Sequence, residues 1–106
     1  MSAETWLEVR PCTESKIDRE INPEILPRLP ALAEALTIAE NARQKAVAKN
    51  AQVWDYSRRL AEAEVRDLSD IFAGGYALQD DRSSSRKINI KYNGNCYNLT
   101  LFSYKN

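Results

Sequence analysis

The 106-residue sequence has no histidine, two cysteines, three glycines, four prolines and one methionine. The missing histidine removes the usual general base at neutral pH and the commonest metal ligand. Hydrolysis by Cys12 or Cys96 would then lack an ordinary base to activate the nucleophile. The two cysteines lie near opposite ends of the chain, so no C-x-x-C element exists, and two thiols cannot hold zinc without other ligands. The only Gly-Gly, at 74–75, follows a stretch that reads as helix, which is the position of a helix C-cap and not of a phosphate-cradling loop. Long apolar runs and a basic leader are also missing: the first ten residues read MSAETWLEVR. These absences predict a cytoplasmic protein with reduced thiols that has no metal, no cofactor, no membrane contact and no enzymatic activity.

Charge of one sign is lacking overall. Fifteen Lys and Arg cancel fifteen Asp and Glu, which excludes a strong, uniform attraction to nucleic acid or an acidic membrane. By position the balance alternates: −4 over 1–40, +4 over 41–59, −5 over 60–81 and +5 over 82–106. Two basic regions stand out, one at Arg43, Lys45 and Lys49, the other at Arg82, Arg86, Lys87, Lys91 and Lys105. The acidic pairs Glu62/Glu64, Asp67/Asp70 and Asp80/Asp81 fall on one helix face or in a loop, not across a cleft, so they do not read as acid–base machinery. Asp55–Arg59, Arg58–Glu62, Glu62–Arg66 and Arg66–Asp70 have the four-residue spacing of a solvated ion-pair ladder on a helix.

What is present argues for one α+β domain. Composition, at 43% hydrophobic and 28% charged, is that of a globular chain of ordinary domain length. Over 5–12, TWLEVRPC sets Leu7 and Val9 in alternation with Trp6, Glu8 and Arg10, a short strand ended by Pro11. Residues 13–29 read as short helical turns, begun by Thr13 or Ser15 and again by Asn22 with Pro23 at the first helical position. From 30 to 73 helix formers dominate, with an apolar stripe at Leu32, Leu36, Ala39, Val47, Trp54, Ala61, Val65, Leu68 and Phe72. Unbroken, that helix would reach roughly 65 Å. It therefore either bends near Asn50 into a helical hairpin or runs straight and shares its length with a partner. Arg43, Asn50, Ser57 and Arg58 interrupt the stripe at its middle.

Residues 80–86 form a polar linker, and 87–104 a β-hairpin around Asn93-Gly94, the strongest short-range hairpin signal. A two-residue turn sets Tyr92 opposite Asn95, Ile90 opposite Tyr97 and Ile88 opposite Leu99, which collects the apolar residues on one face. The expected architecture is a long amphipathic helix, or helical hairpin, packed on this C-terminal hairpin. The N-terminal segment is available as a third strand that would bring Cys12 toward Cys96.

Without catalytic motifs, the expected function is binding of another macromolecule. A protein partner is favoured, with the chain acting as an inhibitor, adaptor or assembly factor. A compact chain of this kind fits the class of phage or mobile-element inhibitors of a host complex, such as an anti-CRISPR or a host-nuclease inhibitor. Candidate contacts are Arg43, Lys45, Lys49, Trp54 and Arg58 on the helix and Arg86, Lys87, Asn89 and Lys91 on the hairpin, because Trp and Arg are enriched at interface hot spots. Trp54 also reads as a core anchor, and Tyr92 and Tyr97 as core residues. The alternative is a nucleic-acid module with Lys87 and Lys91 on phosphates and Tyr92, Phe102 or Tyr104 as stacking faces. The opposed charge blocks would also suit a homodimer.

Overall fold

Asn93 and Gly94 adopt φ of 53° and 78°, the left-handed pair of a two-residue turn whose twist matches that of antiparallel strands. In the computed structural model, which describes residues 4–12, 16–49, 55–73, 76–79 and 83–104, this turn joins the last two elements of the chain. The order is β1 (Glu4–Pro11), β2 (Arg19–Glu20), a 3-10 helix (Pro23–Arg28), α1 (Pro30–Ala48), β3 (Tyr56–Leu60), α2 (Glu62–Phe72), β4 (Tyr76–Gln79), β5 (Ser83–Tyr92) and β6 (Asn95–Tyr104). The fold is α+β.

The hairpin register is the one the alternation predicts: Tyr92 faces Asn95, Ile90 faces Tyr97, Ile88 faces Leu99 and Lys87 faces Thr100. The N-terminal strand does join it, as β1 pairs antiparallel with β6 through Val9↔Leu99 and Leu7↔Leu101. The outer edge of β5 is shared. β2 runs parallel along its Ile90–Lys91 end, and β4 runs antiparallel along Ser84–Lys87. Beyond β1 lies β3, so the sheet reads β2 and β4, then β5, β6, β1 and β3.

Three expectations are corrected. First, residues 30–73 are neither one helix nor a helical hairpin: α1 ends at Ala48 and the chain returns as the strand β3 before α2 begins. The break falls in the polar interruption of the stripe. Tyr56, Arg58 and Leu60 alternate with Ser57 and Arg59, and pairing with β1 gives five residues a ladder that outweighs their helix propensity. The molecule spans 43 Å in its longest direction, less than the unbroken helix would need. Second, within 13–29 the Asn22 cap and Pro23 start are found, with the Asn22 Oδ1 accepting from the Glu24 N–H at 3.0 Å, but Arg19–Glu20 is strand. Third, β5 already begins at Ser83, inside the expected 80–86 linker. Asn50, Trp54, Gly74-Gly75, Arg82 and Lys105 lie outside the described residues.

The core lies between one face of the sheet and the helices. Leu7, Val9, Ile88, Ile90, Tyr97 and Leu99 meet Leu32, Ala35, Leu36 and Ala39 of α1 and Leu68, Ile71 and Phe72 of α2, all buried. Alanines on the inner side of α1 let its backbone approach the sheet. Cations fasten the layers. Arg58 of β3 pairs with Glu34 of α1 at 3.0 Å and Glu64 of α2 at 2.9 Å. The other Glu64 oxygen accepts from the Ala61 N–H at 2.8 Å, closing the start of α2. Arg19 Nη1 donates to the Asp70 carbonyl at 3.1 Å near the end of α2, where a cation is favoured. With Tyr56–Leu60 in a strand, of the expected ion-pair ladder Glu62–Arg66 is formed, at 3.2 Å.

A Cβ added at Gly94 would meet nothing within 4 Å, so Gly94→Ala tests the backbone alone. It should lower unfolding stability by about 1 kcal/mol through the left-handed conformation, read as an earlier urea midpoint; an unchanged midpoint would contradict this turn.

Candidate binding surface

In a sheet of this register the residues between the core positions emerge on the opposite face. They are Trp6, Glu8 and Arg10 of β1, Asn98, Thr100 and Phe102 of β6, Lys87, Asn89 and Lys91 of β5, and Ser57 and Arg59 of β3. Among the described residues no helix contributes to a core on this side. We call it the open face. One row across it reads Arg59, Trp6, Phe102, Ser85 and the next Ser57, Glu8, Thr100, Lys87. Trp6 and Phe102 are both half-buried cross-strand partners on the two central strands. Charges of both signs surround them: Glu4 lies 3.8 Å from Arg59, and Glu8 pairs with Arg10 at 2.7 Å.

The other end of the face carries a polar network. Asn89 Oδ1 accepts from Asn98 Nδ2 at 2.8 Å, and Asn98 Oδ1 accepts from the Thr100 hydroxyl at 3.3 Å. Asn89 also holds the chain on its way to β2: its Nδ2 donates to the Lys16 carbonyl at 3.4 Å and its backbone N–H to Asp18 Oδ2 at 2.9 Å. Thr100, only 7% exposed, sits between this network and the aromatic pair.

The structure divides the described contact residues of the prediction among four places. Lys87 and Lys91 lie on the open face with Asn89, whose amide is committed to the network above. Arg86 is exposed on the helix side of β5. Arg43, Lys45 and Lys49 belong to the far half of α1 and its end, where Lys45 and Lys49 are exposed and favour the helix C-terminus electrostatically. Arg43 bridges inside the molecule: its Nη1 donates to the Cys96 carbonyl at 3.3 Å and its guanidinium lies 5.6 Å from the centre of the Tyr97 ring. Arg58, 29% exposed, is held by its two carboxylates. Trp54 is outside the described residues. Sequence reasoning offers Phe102 only as a stacking face of the nucleic-acid alternative and does not pick out Trp6. Their signal was the alternation itself, since a strand whose Leu7 and Val9 face the core must send Trp6 the other way.

Other surfaces offer less. Ile38 and Val47 are exposed on α1, at 38% and 71%, but their spacing puts them on opposite sides of the helix. A cleft between β3 and the start of α2 is lined by Thr5, Arg59, Leu60 and Glu64, and both Glu64 oxygens are already engaged. Among the described residues no group of three or more Cys, Asp and Glu is placed to hold a metal, and no helix is long and apolar enough to cross a membrane. Compared with known proteins, the chain matches no family model, no curated protein and no solved structure.

Burial raises the Tyr97 pKa above the ordinary tyrosine value, and the Glu40 carboxylate adds to the rise while Arg43 opposes it. Burial and Glu34 move Tyr56 the same way. The folded protein thus keeps protons that the unfolded chain gives up above about pH 10. The stability tied to them is complete below that pH and is lost as pH climbs toward the folded-state values. Tyr97→Phe should make the alkaline loss of stability shallower in unfolding curves taken from pH 9 to 11; an identical slope would show that Tyr97 does not drive it.

Proposed function

We propose that this protein is a non-catalytic binder that recognises another protein through the open face of its sheet, with Trp6 and Phe102 at the centre of contact. The observation that carries this reading is the aromatic pair itself. Two large rings sit opposite each other on the central strands, half-buried, on the side away from the core. Aromatic residues with arginine nearby are what interface centres are enriched in, and a sheet presents them with little ordering cost on binding. The alternation of Glu4 and Glu8 with Arg59 and Arg10 suits a protein surface of mixed charge and offers a phosphate backbone no net attraction. A chain with no histidine and no metal cluster among its described residues acts most simply by occupying its partner's surface, as an inhibitor, adaptor or assembly factor.

The nucleic-acid reading rests on Lys87 and Lys91, which share the open face of β5. Glu20 is the register partner of Lys91, so that cation has an acid beside it, while Glu8, in the row of Lys87 but two strands away, is paired with Arg10.

Quantitative affinity capture from host extract separates the readings. Trp6→Ala, checked as folded, should weaken partner recovery by about 30-fold, the loss of a hot spot of about 2 kcal/mol, whereas Val47→Asp on α1 should leave it intact. Single-stranded oligonucleotides should not shift at low salt. Full recovery with Trp6→Ala would overturn the proposal, and an oligonucleotide shift removed by Lys87→Ala with Lys91→Ala would replace it.

A further inference from the structure

The only two cysteines of the chain, Cys12 and Cys96, meet across β1 and β6. The Cys12 N–H donates to the Cys96 carbonyl at 3.2 Å, one position beyond the Pro11↔Tyr97 pair, which makes the two residues direct cross-strand partners. Hydrogen-bonded antiparallel partners have Cα atoms about 5.5 Å apart, within the roughly 4.4–6.8 Å that a disulfide bridges. Both residues are half-buried thiols, and by alternation both side chains leave on the face of Trp6 and Asn98. We propose that Cys12 and Cys96 form a reversible oxidation site, converted by a small disulfide such as oxidised glutathione into a cross-strand protein disulfide.

The reaction is two successive exchanges. One cysteine, as its thiolate, attacks a sulfur of the reagent; the reagent's S–S bond breaks and one glutathione leaves, taking up a proton. The second cysteine then gives up its proton, attacks the protein-bound sulfur of the mixed disulfide and releases the other glutathione as a thiol. Two protein thiols are oxidised by two electrons, and one glutathione disulfide is reduced to two thiols.

The surroundings favour this chemistry. Lys91 is the register partner of Cys96, so a cation stands beside the pair, with Glu20 on its other side. The Cys12 thiol donates to Asn89 Oδ1 at 3.8 Å, and Arg43 holds the Cys96 carbonyl from the helix side. At a hydrogen-bonded strand pair the Cβ atoms stand up to about 5.5 Å apart, against about 3.8 Å in a relaxed disulfide. Closure therefore draws the strand ends together, and the same exchange run backwards by excess reduced glutathione opens the bond again, which makes it a switch in preference to a permanent staple. It would pin the point where the chain leaves β1.

The test treats the native protein with oxidised glutathione and follows intact mass, alkylation of remaining thiols and a peptide map. The expected product is a monomer lighter by two hydrogen atoms, with Cys12 linked to Cys96, both thiols returning in excess reduced glutathione. In Cys12→Ser, Cys96 should stop at the mixed disulfide. Stable mixed disulfides on the unsubstituted chain, disulfide-linked dimers, unreacted thiols, or an internal bond formed only in denaturant would each overturn the proposal.

Discussion

The constraint on which the rest of the structure depends is the fixed register of β1, β6 and β5. Because side chains alternate across a sheet, the left-handed turn at Asn93-Gly94 and the pairing of Val9 with Leu99 decide together what every residue of the three strands faces. One parity delivers Leu7, Val9, Ile88, Ile90, Tyr97 and Leu99 to the helices. The other delivers Trp6, Phe102, Lys87 and Asn89 to the open face, and Cys12 and Cys96 to each other. A slip of one residue would bury the lysines and asparagines and expose the core, so the open face and the thiol pair are as strongly specified as the core itself.

Charge has a second task in this molecule. The basic block between 41 and 59 is not a uniform cationic surface, because Arg43 ties α1 to the hairpin through the Cys96 carbonyl and the Tyr97 ring, and Arg58 ties β3 to α1 and α2 through Glu34 and Glu64. Pairs of this exposure contribute on the order of 1 kcal/mol and are weakened by salt, so they orient layers that apolar burial holds together.

Much of this was legible in the sequence where local rules and tertiary demands agree. The hairpin register follows from the turn dipeptide and the alternation, the first strand from Leu7 and Val9 against Trp6, and the helical start from Asn22-Pro23. The 30–73 segment was misread because its composition favours helix while the deciding force was non-local. Tyr56–Leu60 becomes strand only because β1, some fifty residues earlier, offers an unpaired edge. The short β2 and β4 were invisible for the same reason, being defined by the edge of β5 and not by their own patterns. For the candidate site, charge and residue type drew attention to Arg43 and Arg58, which the structure uses internally, while Trp6 needed the sheet's second face to be taken as seriously as its first.

The most direct test of the account is to map the bound surface on the chain itself, by comparing side-chain NMR signals free and in complex with the captured partner. The account predicts the largest changes at the Trp6 indole, Phe102, Thr100 and Lys87. Changes confined to the exposed residues Ile38, Lys45 and Val47 of α1 and Lys49 at its end, with the Trp6 indole unmoved, would contradict it.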